Sequence, residues 1–192
     1  ASRRKVGLSV RSSRRYVSLW AMSGWSGLMT RIGETYRVSL SDTPHGAWMD
    51  EPLHQAARCL EHGDVPVGAA VLSATGELLG VGRNVRELAS DPTGHAEIMA
   101  LRDAAGHTGS WRLDGTTLVV TLEPCLMCAG ALIQARVQRV VFGAWDEKAG
   151  ACGSVWDVVR DRASLHRLEV VAGVREAECA ALLTEFFAER RS

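Results

Sequence analysis

The amino-acid sequence predicts an α/β domain, a central sheet covered on both faces by helices. Strand-like apolar runs alternate with helix-period segments from about residue 49 onward. No internal repeat or second patterned block interrupts them, and 192 residues suffice for one well-cored domain and an additional arm. No run of eighteen or more apolar residues occurs, so no membrane-spanning helix is expected.

Residues 1–46 show no sustained period and read as a flexible arm rich in Arg and Ser, with the folded domain over 47–192. The arm carries Arg3, Arg4, Lys5, Arg11, Arg14, Arg15 and Arg31 with no acid before Glu34. In outline, Arg14-Arg15 ahead of the uncharged stretch Tyr16 to Thr30 resembles a twin-arginine export signal. Ser23, Gly24, Ser26 and Gly27 break that stretch, however, and no small-x-small cleavage site stands clearly after it.

The first clear element begins near Met49. Asp50 is placed to cap a helix with Pro52 in its first turn, Leu53, Ala56, Ala57 and Leu60 supply its apolar face, and Gly63 stops it. Val65 to Leu72 reads as a strand, Thr75-Gly76 as a turn, and Leu78 to Gly82 as the returning hairpin partner. Gly80 and Gly82 weaken that partner and leave room for substrate against the backbone. A loop through Asp91-Pro92 then enters a helix from His95 to about Ala105, with Gly106 as its stop.

Thr116 to Leu122 is a second central strand, followed by a helix through Ala129, Ala131, Leu132 and Ile133. Val137 to Gly143 is a strand, Ser154 to Arg160 a helix, and Leu168 to Ala172 a last short strand. A helix from about Arg175 to Arg190 completes the order, with Cys179, Leu182, Leu183 and Phe186 as its apolar stripe.

Lys plus Arg and Asp plus Glu number 22 each, so the formal net charge is zero and indiscriminate nucleic-acid binding is not expected. Five cysteines without framework spacing indicate a reducing, cytoplasmic compartment. Cys59, Cys152 and Cys179 read as small buried hydrophobes.

The chemistry concentrates in His95-Ala96-Glu97 and Pro124-Cys125-Leu126-Met127-Cys128. A catalytic zinc takes three nitrogen or sulfur ligands and keeps one position open. His95, Cys125 and Cys128 form such a set, with Glu97 left to move protons. With Pro124 in a first helical turn, the two cysteines lie on one helix face, and His95 stands at the start of another helix. Both helix N-termini then favour thiolate ligands. A closed structural site would need a fourth ligand, and neither the other cysteines nor His45, His54, His62, His107 and His166 have a partner at ligand spacing. The H-x-E and P-C-x-x-C pair matches the known signature of the zinc base deaminases. Asn84, at the hairpin end, is either a purine-edge contact or a turn residue that caps the strand.

From about Met49 to Arg191 the chain resembles the bacterial tRNA-specific adenosine deaminases. The resemblance rests on Val65-Pro66-Val67-Gly68, Asn84, Asp91-Pro92-Thr93-x-His95-Ala96-Glu97 and Thr121-Leu122-Glu123-Pro124-Cys125-x-Met127-Cys128. It extends over Val140 to Gly143, Asp146-x-Lys148, Gly150-Ala151 and Phe186-Phe187.

The resemblance implies a three-layer α/β/α cytidine deaminase-like fold with a five-stranded mixed sheet. It implies a homodimer whose two sites use the interface, and hydrolysis of adenosine to inosine at the wobble position of a tRNA anticodon, typically ACG of an arginine tRNA. By the same resemblance Zn2+ belongs to His95, Cys125 and Cys128, and the proton shuttle to Glu97. The flipped base falls to Asn84, and contacts to the anticodon stem-loop to Asp146, Lys148 and the Phe186-Phe187 pair. Phe187, lying off the helix stripe, is the better loop-facing residue of that pair. Arg190-Arg191 could join Lys148 in a phosphate track, or simply complement the helix end. Gly94 stands where the family has alanine, Trp145 where a basic residue is common, and the arm has no counterpart. A deaminase of free guanine, cytosine or cytidine would share the zinc chemistry. A non-catalytic zinc-bearing RNA-binding module would have no use for Glu97.

Overall fold

The computed structural model describes residues 44–190. Residues 1–43, with the Arg14-Arg15 pair, and Arg191 lie outside the described residues. A short helix, α1 (Pro44–Trp48), crosses the expected domain border at residue 47 and leads into α2 (Asp50–Cys59). A single 3-10 turn, Leu60–His62, follows and ends at Gly63 with φ +74°, a left-handed conformation that glycine adopts without steric cost. Asp50 is not the cap. Met49, fully buried, holds that position without a side-chain bond, and the Asp50 carboxylate instead accepts from the Arg175 guanidinium.

The sheet comprises β1 (Gly68–Leu72), β2 (Leu78–Arg83), β3 (Thr117–Leu122), β4 (Arg139–Ala144) and β5 (Glu169–Val171), in the order β2-β1-β3-β4-β5. β1 is antiparallel to both neighbours, whereas β3, β4 and β5 run parallel. The expected five-stranded mixed sheet is thus present. β1, β3 and β4 are buried on both faces, which explains their unbroken apolar runs.

Residue parity sorts the core into two layers. Leu118, Val120, Val140 and Phe142 pack with Ala100 and Ala104 of α4 (Ala96–Thr108) and with Ala129 and Leu132 of α5 (Leu126–Gln134). On the other face, Val119 and Val141 meet Met49 and Cys179, the latter from α6 (Glu176–Glu189). Gly143 makes α6 fit: a Cβ there would lie 2.3 Å from the Cys179 sulfur. Cys59, Cys152 and Cys179 are buried thiols, as expected.

Gly80 and Gly82 serve this packing rather than substrate. Cβ atoms at these positions would stand 2.4 Å from the Ala104 nitrogen and 2.2 Å from the Ala96 oxygen, so α4 occupies the space that the sequence assigned to a ligand. Helix α4 also runs past Gly106, which is open to its surroundings, and ends at Gly109 with φ +66°. A further short helix, α3 (Arg86–Ala89), occupies part of the expected loop.

The helix expected over Ser154 to Arg160 is absent; that segment consists of turns and isolated bridges. Its own donors pair outside helical spacing, Trp156 with the Gly150 carbonyl and Val158 with the Ala151 carbonyl, and the residues leading into it are held as well. Cys152 and Ser154 donate to the Glu123 carboxylate, and Gly153 to the Trp156 carbonyl.

Candidate active site

His95 and Cys125 each occupy the N-cap of a helix, α4 and α5, in extended backbone conformation and without a side-chain capping bond. Both helices therefore turn a positive dipole end toward one point. Pro124 precedes the cap instead of standing in the first turn, and the two cysteines reach the same side as cap and third helical residue.

The approach to His95 is braced. Asp91 Oδ1 accepts from the Thr93 amide at 2.8 Å and the Thr93 hydroxyl at 2.7 Å, and Gly94 donates to the Asp91 carbonyl at 3.0 Å. Gly94 has a local reason too: a Cβ would stand 3.1 Å from Val85 Cγ2, so the valine methyl fills the room an alanine would need.

His95 Nδ1 lies 3.6 Å from Cys125 Sγ and 3.5 Å from Cys128 Sγ, and one donor atom from each residue falls within 4.8 Å of the others. One imidazole nitrogen and two sulfurs at this spacing fit a single tetrahedral zinc with its fourth position left for another ligand. Hydrogen bonding from Cys128, then from His95, pulls the Cys125 thiol down to about 4 against the opposing effect of burial. The same bond to Cys125, with burial, pushes Cys128 up. The pair thus holds one thiolate readily, and a cation is needed to hold two.

Glu97, 4% exposed, is raised to about 7 chiefly by burial. It shares with His95 and Cys125 a cavity of about 130 Å3 whose walls include Val65, Val67, Asn84, Arg86, Leu122 and Asp146. The structure therefore gathers five of the sequence-assigned residues, His95, Cys125, Glu97, Asn84 and Asp146, at one cavity, with the Cys128 sulfur beside it.

Asn84 fits both of its readings. Nδ2 donates to the Val65 carbonyl at 3.1 Å and Oδ1 accepts from the Arg86 amide at 3.2 Å, so it shapes the turn. A side-chain amide has two donors and two lone pairs, which leaves one of each for a ligand.

Lys148 and Phe187 lie elsewhere, lining an open groove with Leu183, Thr184 and Arg190. Asp146 connects the two places. Its Oδ1 accepts from the amides of Lys148 at 3.0 Å and Ala149 at 3.1 Å, while the residue itself walls the cavity. Phe186 is core and Phe187 exposed, as the stripe predicts. Arg190 stacks its guanidinium 4.0 Å from the Phe186 ring centroid and donates to the Gly63 carbonyl. Trp145 packs edge-on against Phe142 with ring centroids 4.8 Å apart.

Two buried acids escaped sequence reasoning. Asp64 accepts from the amides of Glu87 at 2.7 Å and Leu88 at 3.2 Å, capping α3 beside Arg86. Glu123 accepts from three amides of the segment between Asp146 and Ser154. Each stands next to an apolar run, and an acid at such a junction is the one signal the sequence offered.

The fold and this donor set define a deaminase of the cytidine deaminase-like class. Residues 43–191 match the family model described as MafB19-like deaminase, and the chain belongs to that family; curated relatives 39% to 47% identical to it are named tRNA-specific adenosine deaminase. It is 44% identical over 144 residues to the tRNA-specific adenosine deaminase of Bacillus subtilis, covering 75% of this chain and 89% of that one. It is also 45% identical over 170 residues to a tRNA(Ile)-lysidine synthase of Deinococcus radiodurans, covering 87% of this chain but only 29% of that protein. Among solved structures, one from work on A-to-I editing by tRNA:A34 deaminases superposes with TM-score 0.69 at 36% identity, covering 72% of this chain and 99% of that one. A guanine deaminase from Nitrosomonas europaea gives TM-score 0.63 at 26% identity, covering 86% and 100%.

Proposed function

We propose that the protein is a zinc-dependent hydrolase that converts adenosine to inosine at the wobble position of a tRNA anticodon, with ACG of an arginine tRNA as the expected substrate. The observation that carries this reading is the convergence of His95, Cys125, Cys128 and Glu97 at one cavity, in a chain 44% identical to a tRNA-specific adenosine deaminase. His95, Cys125 and Cys128 hold the zinc. When bound, the metal makes water nucleophilic at neutral pH.

Glu97 takes a first proton from the attacking water and gives it to the purine ring nitrogen, then passes the second, from the hydroxyl added to the ring carbon, to the amine, which leaves as ammonia. Asn84 offers its remaining donor and acceptor to the base edge, and Asp146 lines the same cavity. Lys148 and Phe187 support the flanking nucleotides, the lysine by charge and the phenylalanine by stacking. An anticodon loop suits such a site, because single-stranded bases turn outward at small unstacking cost. A homodimer and a cytoplasmic location belong to the same proposal.

The test is inosine formation by zinc-loaded protein on an ACG anticodon stem-loop, against free adenosine, cytidine and guanine. Inosine in the stem-loop alone is expected. Turnover confined to a free base or nucleoside would keep the zinc chemistry and remove the RNA substrate, and no deamination at all would favour a binding module. Light scattering that gives a monomer would remove the dimer.

A further inference from the structure

We propose that Glu123 is a positioning residue, which joins the turn carrying Cys125 to the loop carrying Asp146 and Lys148 and so sets the substrate wall of the cavity. This inference rests on the reading of Asp146 and Lys148 as substrate contacts.

Glu123 connects β3 to Pro124-Cys125 and is 2% exposed. Its backbone continues the sheet, donating to the Ala144 carbonyl at 2.8 Å. Its side chain reaches out of that register. Oε2 accepts from the Asp146 amide at 3.1 Å, and Oε1 accepts from the amides of Cys152 at 2.9 Å and Ser154 at 3.1 Å. One carboxylate thereby holds both ends of a loop that has neither helix nor strand to hold it.

A second set of bonds stitches the middle of the loop to the ligand turn. Ala151 donates to the Pro124 carbonyl at 2.8 Å, and Gly150 pairs with Cys125 as an antiparallel bridge. Gly150 lies directly over the carboxylate: a Cβ there would stand 2.3 Å from Glu123 Oε2 and 2.2 Å from Ser154 Oγ. Among the described residues no salt bridge to Glu123 occurs, so backbone amides provide its identified contacts. A group satisfied in this way fixes geometry, because each amide sits at a defined place along the loop. Asp146 then orients the Lys148 amide through its own carboxylate.

Glu123→Gln tests the idea with little change of shape. An amide keeps one acceptor and turns the other into a donor facing a donor, so one end of the loop is released. KM for the stem-loop should rise about tenfold, the fold-change expected from loss of one hydrogen bond to a charged group. The zinc content per chain should stay unchanged and kcat should change by less than about threefold. Amide hydrogen exchange should quicken at Asp146, Cys152 and Ser154 while α5 keeps its protection. Gly150→Ala presses on the same carboxylate from the other side and should reproduce both effects. It carries the test if Glu123→Gln does not fold.

Exchange that quickens evenly across the domain would overturn the proposal, as would loss of zinc or an unchanged KM despite a loosened loop. The exchange readout needs no substrate. Wild-type protein inactive on RNA would therefore sink the functional reading, while exchange confined to the loop would still report on the brace itself.

Discussion

The Cβ that Gly82 lacks would fall 2.2 Å from the carbonyl oxygen of Ala96, the residue between His95 and Glu97, the proposed metal ligand and proton shuttle. Gly82→Ala must therefore push α4 away from β2 at the point where the helix begins at the proposed site. Overpacking of this kind costs about 1–3 kcal/mol. Urea unfolding should show that loss, and activity should fall further than stability alone explains. Gly106→Ala, on the same helix with open space around it, should stabilise by roughly 0.5–1 kcal/mol. Equal effects from both substitutions would contradict the close approach.

Replacing a zinc ligand should remove metal before it removes fold. Cys128→Ser leaves His95 and Cys125, too few for a site of this type, and zinc per chain by atomic absorption should drop to below about a tenth of wild type. Chelation of the wild-type protein should abolish turnover reversibly. Full zinc occupancy in Cys128→Ser would remove Cys128 from the ligand set.

Glu97→Gln keeps the size of the side chain and loses its proton chemistry. Turnover should fall by at least ~10²- to 10⁴-fold while zinc stays at its wild-type level. Retained turnover with retained zinc would take the shuttle role away from Glu97.

Asp64 supports α3 from below, and Asp64→Ala leaves the Glu87 and Leu88 amides without that acceptor. The expected loss is about 1–2 kcal/mol, as for other helix caps. Asp64→Asn keeps one acceptor oxygen and should recover part of it. Amide exchange at Glu87 and Leu88 reads the difference; no change there would mean the cap is redundant.

Acid should weaken the junction between α6 and α2. Arg175 donates to Glu178 at 2.9 and 2.7 Å and also to Asp50, and its hydrogen bond holds the Glu178 carboxyl below the ordinary carboxylate range. A folded-state value below the unfolded value of ~4.3 gives a contribution complete above that pH and lost as pH falls through the folded value. Arg175→Gln should therefore lower Tm at pH 7 by more than it does at pH 3. The Glu178 side chain is 55% exposed, so added salt should narrow the gap. A gap that widens on acidification would contradict the pairing.

The alternation of periods made the layers legible in the sequence, and the H-x-E and P-C-x-x-C spacings marked the three donors that the structure brings together, because both signals are local. Contacts between distant segments left weaker traces. Gly80 and Gly82 signalled a close approach without naming α4 as the visitor. Ser154 to Arg160 carries a helix-like pattern, yet the Glu123 carboxylate, from outside the segment, captures its first amide, at Ser154, and that of Cys152 just before it. Asp64 and Glu123 act through acceptors aimed at backbone far along the chain, and backbone donors carry no sequence label.

His95 and Cys125 are 30 positions apart, with the whole of α4 and β3 between them. An ion shared by these two residues pins the ends of that loop and acts as a removable crosslink. On the proposed zinc reading, part of the affinity for the metal would be spent on holding one helix and one strand in place, and would be lost when the metal leaves. The consequence concerns how long the protein lasts as well as what it does: scarcity of zinc would shorten the lifetime of the folded chain as well as slowing its turnover.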